Sequence, residues 1–488
     1  MFLQHLKKSH YGMLVIGIIM TIFLVLPDYS IHLIADFTLF CIDKFGLEII
    51  LFATLMVLLA IGISLSPIGK WRIGNNNAKP EFGLFSWLAM LFTCGMGSGL
   101  IFWGIAEPLF HFSNLPHFAQ KYHQSSDTAL ALTYFHWGVH AWSIYGLGAL
   151  AVAWFGFNRG RSLHISASFT DKKTGKWLLV DWLAIMAIIF GLAGTFANST
   201  ALVQTGLQQS LSLNLDSEGF RFSFILILAT LFTVSSILGL ERGIKRLSQL
   251  NTGLMLAFIV VMFVLFNPLD ILSTIFSSCK SYIILLPEVS FNIEPESKQW
   301  SLGWSVIYIV WWIAWTPFVA PFIAKISYGR TIRQFLFCVI VIPTLASIIW
   351  FSVFGGMALS QPYLSELIQA VNQGYTQGLF QFFTHLPFGY ILSFVAILLL
   401  ITFIITSADS ALLVCGILSN NESIKNKILW AILLVILSME LIYINDVDLN
   451  KQVAIAGALP FALVQLGQII AMFVDMGKQY KKDSVVQT

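Results

Sequence analysis

Residues 303–334 read GWSVIYIVWWIAWTPFVAPFIAKISYGRTIRQ. The stretch begins as an apolar helix long enough to cross a membrane, and it ends in the basic run Lys325, Arg330 and Arg333. It also holds four tryptophans and two prolines, although a helix that faces only lipid needs neither large rings at its centre nor helix breakers. We interpret it as one wall of a ring-lined cage for a cation.

The composition of the whole chain agrees with a membrane protein. Of its 488 residues, 57% are apolar and 10% are charged, whereas soluble domains are about 25% charged. The net charge of +3 gives no reason to expect a nucleic-acid partner. The five cysteines are scattered without metal-ligand spacing, which favours small core residues. We therefore expect an integral membrane protein.

The chain contains twelve apolar spans. The first is not a cleavable signal peptide, because no small-residue cleavage site follows it and more spans do. Each span can cross about 30 Å of hydrocarbon at about 1.5 Å per residue. We place the spans at 12–27, 47–66, 84–106, 128–155, 179–207, 222–239, 251–269, 303–324, 333–358, 387–417, 427–444 and 452–474.

The basic residues support this number of spans and give them a direction. With both termini in the cytoplasm, cytoplasmic segments hold all of the 27 lysines and arginines except Lys44, Lys121, Arg221, Lys280, Lys298 and Lys451. An excess of basic residues is typical of cytoplasmic loops, so the distribution predicts twelve spans with cytoplasmic termini. Residues 270–302 and 360–386 mix apolar and polar side chains, and we expect an amphipathic helix on the outer surface in each.

The third span contains a segment, Gly95–Gly99, in which every second residue is glycine. Glycines weaken a buried helix, so we expect this segment to unwind and to turn backbone polar groups toward a ligand. Close helix packing through small residues is the alternative. Glycines two residues apart do not share one helix face, however, which favours the unwound segment.

Large rings lie near the middle of two spans, deeper than an aromatic belt at the membrane interface would place them. Ring faces attract cations, by about 0.5–2 kcal/mol for each ring. Few fixed negative charges lie nearby, so a zwitterion costs less to bury than a bare cation. Bulky rings that simply fill a core are the alternative. The rings are Trp137, Trp142 and Tyr145 in span four, and Trp311, Trp312 and Trp315 in span eight.

Prolines follow the rings of span eight. Pro317 and Pro321 each remove a helical hydrogen bond, so we expect a break or kink just after the rings. Two broken helices in separate halves of the chain favour a transporter with internal repeats and a binding site at the membrane midplane. In span four, His136 and His140 are either ligands or proton carriers, or else paired core histidines.

The tenth span ends in Thr406-Ser407-Ala408-Asp409-Ser410. Its adjacent hydroxyls, with carbonyls freed from an unwound helix, would supply hard oxygen ligands for a small cation. Alternatively, the hydroxyls bond back to the preceding helical turn. Asp409 is costly to place in a membrane and is therefore a functional candidate, unless it lies near the cytoplasmic end and pairs with a basic loop.

These motifs resemble the signature of the betaine/choline/carnitine transporter family. The resemblance is carried by residues 311–319 and 324–333, by Gly95–Gly99, by Glu107-Pro108, and by residues 137–145 and 406–410. It covers essentially the whole chain. It implies an all-α integral membrane protein with twelve transmembrane helices. Two extra N-terminal helices would precede an inverted five-plus-five helix repeat, the fold of the sodium-coupled amino-acid transporters.

The resemblance also implies the organisation of the chain. Residues 1–83 would hold the N-terminal tail and the two extra helices. The first repeat, spans three to seven, would occupy 84–269, and the second, spans eight to twelve, 303–474. Residues 270–302 would form an amphipathic connecting segment, and 475–488 a short cytoplasmic tail.

The resemblance implies a substrate site and a sodium site. The substrate site would comprise the six rings named above together with Met96, Gly97 and Gly99. The main sodium site would use Thr93, Met96, Phe403, Thr406 and Ser407, with carbonyls from the first three and hydroxyls from the last two. A second sodium site would fall near Thr195 and Ser199.

Some positions refine the expected substrate and coupling. Choline-preferring members often carry Asp where Gly99 stands, so Gly99 favours a zwitterion such as glycine betaine. Residues 252–269 contain no Lys or Arg, and position 315 is Trp, which both favour sodium coupling. The chain departs from the family at Lys325, Tyr328, Ala320-Pro321 and Ser98, and its short C-terminus puts osmotic activation in doubt.

The resulting expectation is a secondary active transporter in the inner (plasma) membrane of a bacterium. It would import a glycine betaine-like, quaternary-ammonium zwitterion by sodium symport and alternating access. It would be no enzyme, with no cofactor beyond sodium as coupling ion. Membrane lipid would surround it, and the resemblance implies a homotrimer. The alternatives are a sodium-independent carnitine/choline-type exchanger, proton-coupled uptake and, from other classes, a channel or a membrane-embedded enzyme.

Overall fold

The computed structural model describes residues 18, 21–22, 25–96, 98–122, 125–171, 177–211, 215, 217–444, 447–455 and 458–486. Within these ranges the chain is helical and contains no strand, with one isolated antiparallel bridge between Arg72 and Thr331. The expected all-α class is confirmed.

Seventeen helices of eight residues or more organise the described residues. The first eight are α1 Pro27–Leu65, α2 Leu84–Met96, α3 Gly99–Ser113, α4 Ser126–Trp137, α5 Val139–Ala153, α6 Leu178–Leu211, α7 Glu218–Gly239 and α8 Lys245–Leu265. The others are α9 Pro268–Phe291, α10 Ile307–Ile326, α11 Ile332–Phe351, α12 Leu364–Gln373, α13 Gln377–Thr384, α14 Gly389–Leu418, α15 Ile424–Ile444, α16 Val447–Ile455 and α17 Ala458–Val486.

The number of candidate membrane spans agrees with the prediction, but the set of spans differs. Among the described residues, eleven helical segments are long and apolar enough to cross a membrane, and α2 with α3 makes a twelfth across a 58° bend. The predicted span 12–27 lies mostly outside the described residues. The segment Pro268–Phe291, predicted as an amphipathic connection, is itself long and apolar enough to count. The predicted span 47–66 is the second half of α1.

The second predicted connection, 360–386, forms two short helices rather than one. Both α12 and α13 pack on α3. Each turns an apolar face inward, including Leu367 and Val371 of α12 and Phe380 and Phe382 of α13. The amphipathic character predicted for this connection is therefore confirmed.

The helix breaks lie partly where the sequence placed them. The bend between α2 and α3 falls inside the predicted glycine segment. A second break, at Gly138 between α4 and α5, was not predicted. A Cβ on Gly138 would lie 2.4 Å from the carbonyl oxygen of Tyr134, so no larger residue fits there without a shift.

Of the break or kink predicted in span eight, the break is wrong, because α10 runs without interruption through Pro317 and Pro321; the kink stays a prediction. A proline removes only one N–H donor, and neighbouring helices can stabilise a membrane helix that contains it. Nearly all of α10 is buried against such neighbours, chiefly α5, α6 and α17. Packing therefore outweighs the lost hydrogen bonds.

Two groups of packed helices position the functional residues. In the first, α10 packs along α5 and against α6. In the second, α8 and α14 both pack on α2. The bend between α2 and α3 joins the two groups, because α2 belongs to the second and the residues at the bend contact rings of the first.

Candidate functional site

The structure brings the rings of spans four and eight together. The centroid of Trp312 lies 5.5 Å from Trp137, 6.2 Å from Trp142 and 5.2 Å from Tyr145. Trp142 and Tyr145 meet edge to face at 5.6 Å. Ring pairs at these separations and tilts are favourable. Four of the six predicted rings therefore form one packed cluster.

A cavity lies beside this ring cluster. It contains about 560 Å³ of space outside atoms, part of which is open to solvent. Five of the six predicted rings line it, whereas Trp142 is fully buried behind them. Gly97 lies outside the described residues. The lining residues are Gly95, Met96, Ser98, Gly99, Phe102, Trp103, Trp137, Tyr145, Thr195, Asn198, Ser199, Tyr308, Trp311, Trp312 and Trp315.

Two glycines of the α2–α3 bend let the backbone approach the rings. A Cβ on Gly95 would lie 2.6 Å from Cη2 of Trp142, and one on Gly99 would lie 2.6 Å from Cη2 of Trp137. Carbon atoms do not approach so closely without a shift of one partner. Any side chain at position 99 would therefore displace the Trp137 ring.

A buried carboxylate that we did not predict as a site residue supports the ring cluster. Oε2 of Glu107 accepts hydrogen bonds from Nε1 of Trp137 at 2.8 Å and from the hydroxyl of Tyr308 at 2.6 Å. Oε1 of Glu107 lies 2.6 Å from Nδ1 of His136 and 3.3 Å from Nε2 of His111. A charge at this depth requires such partners. One carboxyl group therefore lies directly behind the rings, in keeping with the few negative groups expected there.

A sequence signal for Glu107 existed, since a glutamate at membrane depth is a functional candidate. His111 lies four residues further along α3, but His136, Trp137 and Tyr308 come from other helices and could not be read from spacing. Ligand atoms of Glu107, His111 and His136 all lie within 4.8 Å of one another, as in a metal site. The hydrogen bonds at Oε1 account for this arrangement without an ion.

The two histidines of span four are not paired with each other. Nε2 of His136 lies 3.0 Å from Oγ of Ser305, while its Nδ1 faces Glu107. Nε2 of His140 lies 3.2 Å from Oγ of Ser290. Both are therefore core histidines, as the alternative held, although they do not pair with each other, and only His136 belongs to the network around Glu107.

The predicted sodium residues lie where α2, α8 and α14 pack together. Oγ1 of Thr406 donates to the carbonyl oxygen of Thr402 at 2.8 Å, as the alternative for these hydroxyls predicted. It also accepts from Nδ2 of Asn251 at 3.0 Å. Oγ1 of Thr93 lies 2.7 Å from Oγ of Ser248. Side chains of α8 therefore link Thr93 to Thr406.

Two buried oxygens of this cluster have no hydrogen-bond partner among the described residues. They are Oγ of Ser407 and Oδ1 of Asn251. Unpaired buried oxygens suit a hard cation, which takes oxygen ligands. Asn251 is therefore a candidate ligand that the sequence did not reveal, beside the predicted Ser407.

The predicted backbone ligands differ in their availability. Met96 is the last residue of α2, and the last carbonyls of a helix lack partners within it. Phe403 lies inside the continuous α14, so no break in that helix frees its carbonyl. Asp409 accepts a hydrogen bond from Ser235 of α7, and the neighbouring Lys427 donates to the carbonyl of Ser236 at 2.6 Å.

A second group of rings adjoins the cavity and already holds a cation. Nζ of Lys451 lies 4.7 Å from the ring centroid of Trp103, 5.0 Å from Tyr375 and 5.8 Å from Trp304. Trp103 also lines the cavity. Rings of this region therefore accept an ammonium group in the structure itself.

Comparison with known proteins identifies the family to which the chain belongs. The model of the betaine/carnitine/choline family transporters matches residues 9–481. The chain belongs to this transporter family. It is therefore an integral membrane transporter and not an enzyme.

Individual relatives agree with this assignment. The chain is 33% identical to the glycine betaine transporter OpuD of Bacillus subtilis over 93% of its own length and 91% of the relative's. It is 33% identical to a glycine betaine/proline/choline/ectoine transporter of Vibrio parahaemolyticus, over 88% and 80%. It is 31% identical to an ectoine/hydroxyectoine transporter of Virgibacillus pantothenticus, over 90% of each chain.

Proposed function

We propose that the transporter imports a glycine betaine-like, quaternary-ammonium zwitterion by sodium symport and alternating access. This proposal rests on the ring cluster around Trp312, which lies beside the cavity. A trimethylammonium group has no N–H, so rings can desolvate it without leaving a donor unpaired. Glu107, hydrogen-bonded to Trp137 from behind, adds negative potential to the same rings.

The balance of charge in the cavity favours a zwitterion over a bare cation. No carboxylate and no basic side chain lines the cavity in the described part of the chain. A zwitterion brings both charges with it, so the cavity needs no counter-ion of its own. Several relatives are named for glycine betaine, which is such a molecule.

The position of α2 supports sodium coupling. Thr93 of this helix belongs to the oxygen cluster with Thr406 and Ser407, and Met96, three residues on, lines the cavity. An ion in the oxygen cluster would hold the end of α2 in place. The adjoining glycines would then be held against the rings, so that sodium binding strengthens solute binding.

The membrane arrangement is part of the same proposal. Both termini would lie in the cytoplasm of a bacterial cell, with the inner membrane around the helices. Two N-terminal helices would precede the two inverted repeats, 84–269 and 303–474. The transporter would assemble as a homotrimer, as the family resemblance implies.

Uptake into liposomes tests the proposal. Purified transporter is reconstituted, and uptake of labelled glycine betaine is measured with an inward sodium gradient and with potassium in its place. We expect concentrative uptake only with sodium, and its loss in Trp312→Leu but not in Trp182→Leu, whose ring lies outside the cavity. Equal uptake with sodium and with potassium would contradict sodium symport.

The buried Glu107–His136 pair favours proton-coupled uptake as the second candidate, because both groups can bind a proton. An inward proton gradient without sodium would then drive accumulation. Exchange of carnitine or choline would instead appear as uptake only into liposomes preloaded with solute.

A further inference from the structure

The ring group that holds Lys451 comes from three separate parts of the chain. Trp103 lies on α3, Trp304 lies directly before α10, and Tyr375 lies in the connection between α12 and α13. We call these three residues the outer rings, because the basic residues of the sequence predict that the connections before span nine and span twelve, and the one before span eight, face outward. Tyr308 joins the outer rings to the cage, since its ring centroid lies 6.2 Å from that of Trp103 and 5.6 Å from that of Trp137.

The planes of the outer rings meet at steep angles and form a corner. The centroids of Trp103 and Trp304 lie 5.9 Å apart, with an angle of 80° between the rings. Tyr375 lies 5.1 Å from Trp103 at 55°, and 6.3 Å from Trp304 at 90°. Rings arranged in this way turn several faces toward one point, so a single cation can contact all three.

Lys451 fills this corner from another helix. Its Nζ lies no more than 5.8 Å from the centroid of any of the three rings. Lys451 belongs to α16, which packs on α6 and α10. The helices on either side of Tyr375, in contrast, pack on α3. The ammonium group therefore links α16 to α3 and to the connection between α12 and α13.

Little of the outer rings reaches solvent. Trp103, which also lines the cavity, is only 2% exposed, and Trp304 is 8% exposed. The long stem of a lysine at the outer end of a helix can extend its ammonium group into water. Here the ammonium group lies over three rings instead, and the ring contacts offset the hydration that it loses.

We propose that Lys451 is a latch, whose ammonium group holds the outer rings together over the cavity and must leave them before a solute enters from outside. This inference rests on the alternating access and the membrane orientation of the proposed function. The ring contacts of Lys451 exist only while the outer rings are together, so they stabilise the closed conformation relative to the open one. Removing the ammonium group therefore shifts the population toward the open conformation.

Labelling of a cysteine behind the latch tests the inference. In Phe102→Cys the thiol lies in the wall of the cavity, beside Trp103. Its reaction with a membrane-impermeant, anionic methanethiosulfonate is measured in right-side-out membrane vesicles, and the chain without this substitution gives the background rate of the natural cysteines.

Lys451→Met, added to Phe102→Cys, keeps the length of the side chain and removes its charge. Three ring contacts, each at the lower end of the usual energy of a cation over a ring, predict about a tenfold faster reaction. The loss of a positive charge would by itself slow an anionic reagent, so a faster reaction reports opening of the outer rings.

Two substitutions serve as controls. Lys451→Arg keeps a cation that stacks on rings, and its rate should stay within about twofold of that of Phe102→Cys alone. Lys298→Met removes another lysine of the outer side, which pairs with Asp43 at 2.8 Å, and should leave the rate unchanged. Tyr375→Leu should speed the reaction, and Lys451→Met should then add less than it does alone, because both act through the same contact.

Three outcomes would overturn the inference. They are an unchanged rate in Lys451→Met, an equal rise in Lys298→Met, and a rise confined to inside-out vesicles, which would place the outer rings on the cytoplasmic side. If Lys451→Met does not fold, Lys451→Gln replaces it with the same expected result. Labelling requires neither solute nor sodium, so a lack of glycine betaine uptake would refute the proposed function while the labelling rates still decide the latch.

Discussion

At the scale of single residues, the absence of a side chain at Gly99 is as important as the rings around it. A Cβ there would overlap Cη2 of Trp137, and overpacking of this kind costs about 1–3 kcal/mol. Gly99→Ala should therefore raise the KM for glycine betaine about five- to a hundredfold. The matched control is Gly253→Ala, where no atom lies within 4 Å of the added carbon. An unchanged KM in Gly99→Ala would mean that the Trp137 ring is free to move.

The carboxylate behind the rings leads to a second prediction. Glu107→Gln keeps the shape and removes the charge that binds Trp137, Tyr308 and His136. Hydrogen bonds to charged groups contribute about 1.5–3 kcal/mol each. We expect the KM to rise by about tenfold or more, with the variant still inserted in the membrane. Glu366→Gln, at a half-exposed carboxylate far from the cavity, should behave as wild type; a loss shared by both variants would point to a general defect.

The sequence predicted those site residues whose neighbours lie on the same helix. Helical spacing placed Trp312 with Trp315, and Trp142 with Tyr145. Glu107 and Asn251 were missed because most of their partners belong to helices distant in the sequence. Trp142 was predicted to line the substrate site together with Tyr145, but packing buries its ring behind the cavity.

At the scale of helices, the sodium-site prediction concerns the residues packed between α2, α8 and α14. Ser407→Ala removes a buried oxygen that has no described partner. Losing one ligand should raise the half-saturating sodium concentration about tenfold without changing solute binding at saturating sodium. Sodium-dependent thermal stabilisation of the purified transporter gives the same information without transport. Ser410→Ala, one turn further along α14 and bonded to the Thr406 carbonyl, is the matched control. An unchanged sodium requirement in Ser407→Ala would place the ion elsewhere.

Helix breaks show how local signals compete with packing. Pro317 and Pro321 predicted a break, yet α10 is continuous because helices surround it. Gly138 gave no strong signal in the sequence, yet the chain breaks there, and the broken backbone leaves no room for a Cβ beside the Tyr134 carbonyl. The sequence indicates which residues weaken a helix, but packing against neighbouring helices determines whether the helix breaks at those residues.

At the scale of the whole molecule, composition and charge predicted the membrane class and the number of spans but not the identity of every span. The segment Pro268–Phe291 has the length and apolar content of a spanning helix, and its place in the chain suggested a connection. Length and composition alone do not distinguish these roles.

Fusions to the C-terminus test the membrane arrangement. Twelve spans place both termini in the cytoplasm, whereas a thirteenth would put them on opposite sides. We therefore expect a C-terminal green fluorescent protein to fluoresce and a C-terminal alkaline phosphatase to stay inactive. Fusions of the same two reporters after residue 292 show on which side of the membrane the C-terminal end of α9 lies. An active phosphatase at the C-terminus would contradict the proposed orientation.

The central claim is that the rings bind the solute through its positive charge. Equilibrium binding of glycine betaine is compared, in sodium, with that of 3,3-dimethylbutanoate, which has the same shape with carbon in place of nitrogen. Each ring contributes about 0.5–2 kcal/mol to binding a cation, so two or more rings predict at least about fivefold tighter binding of glycine betaine. Equal affinity for the two ligands would contradict the cation cage.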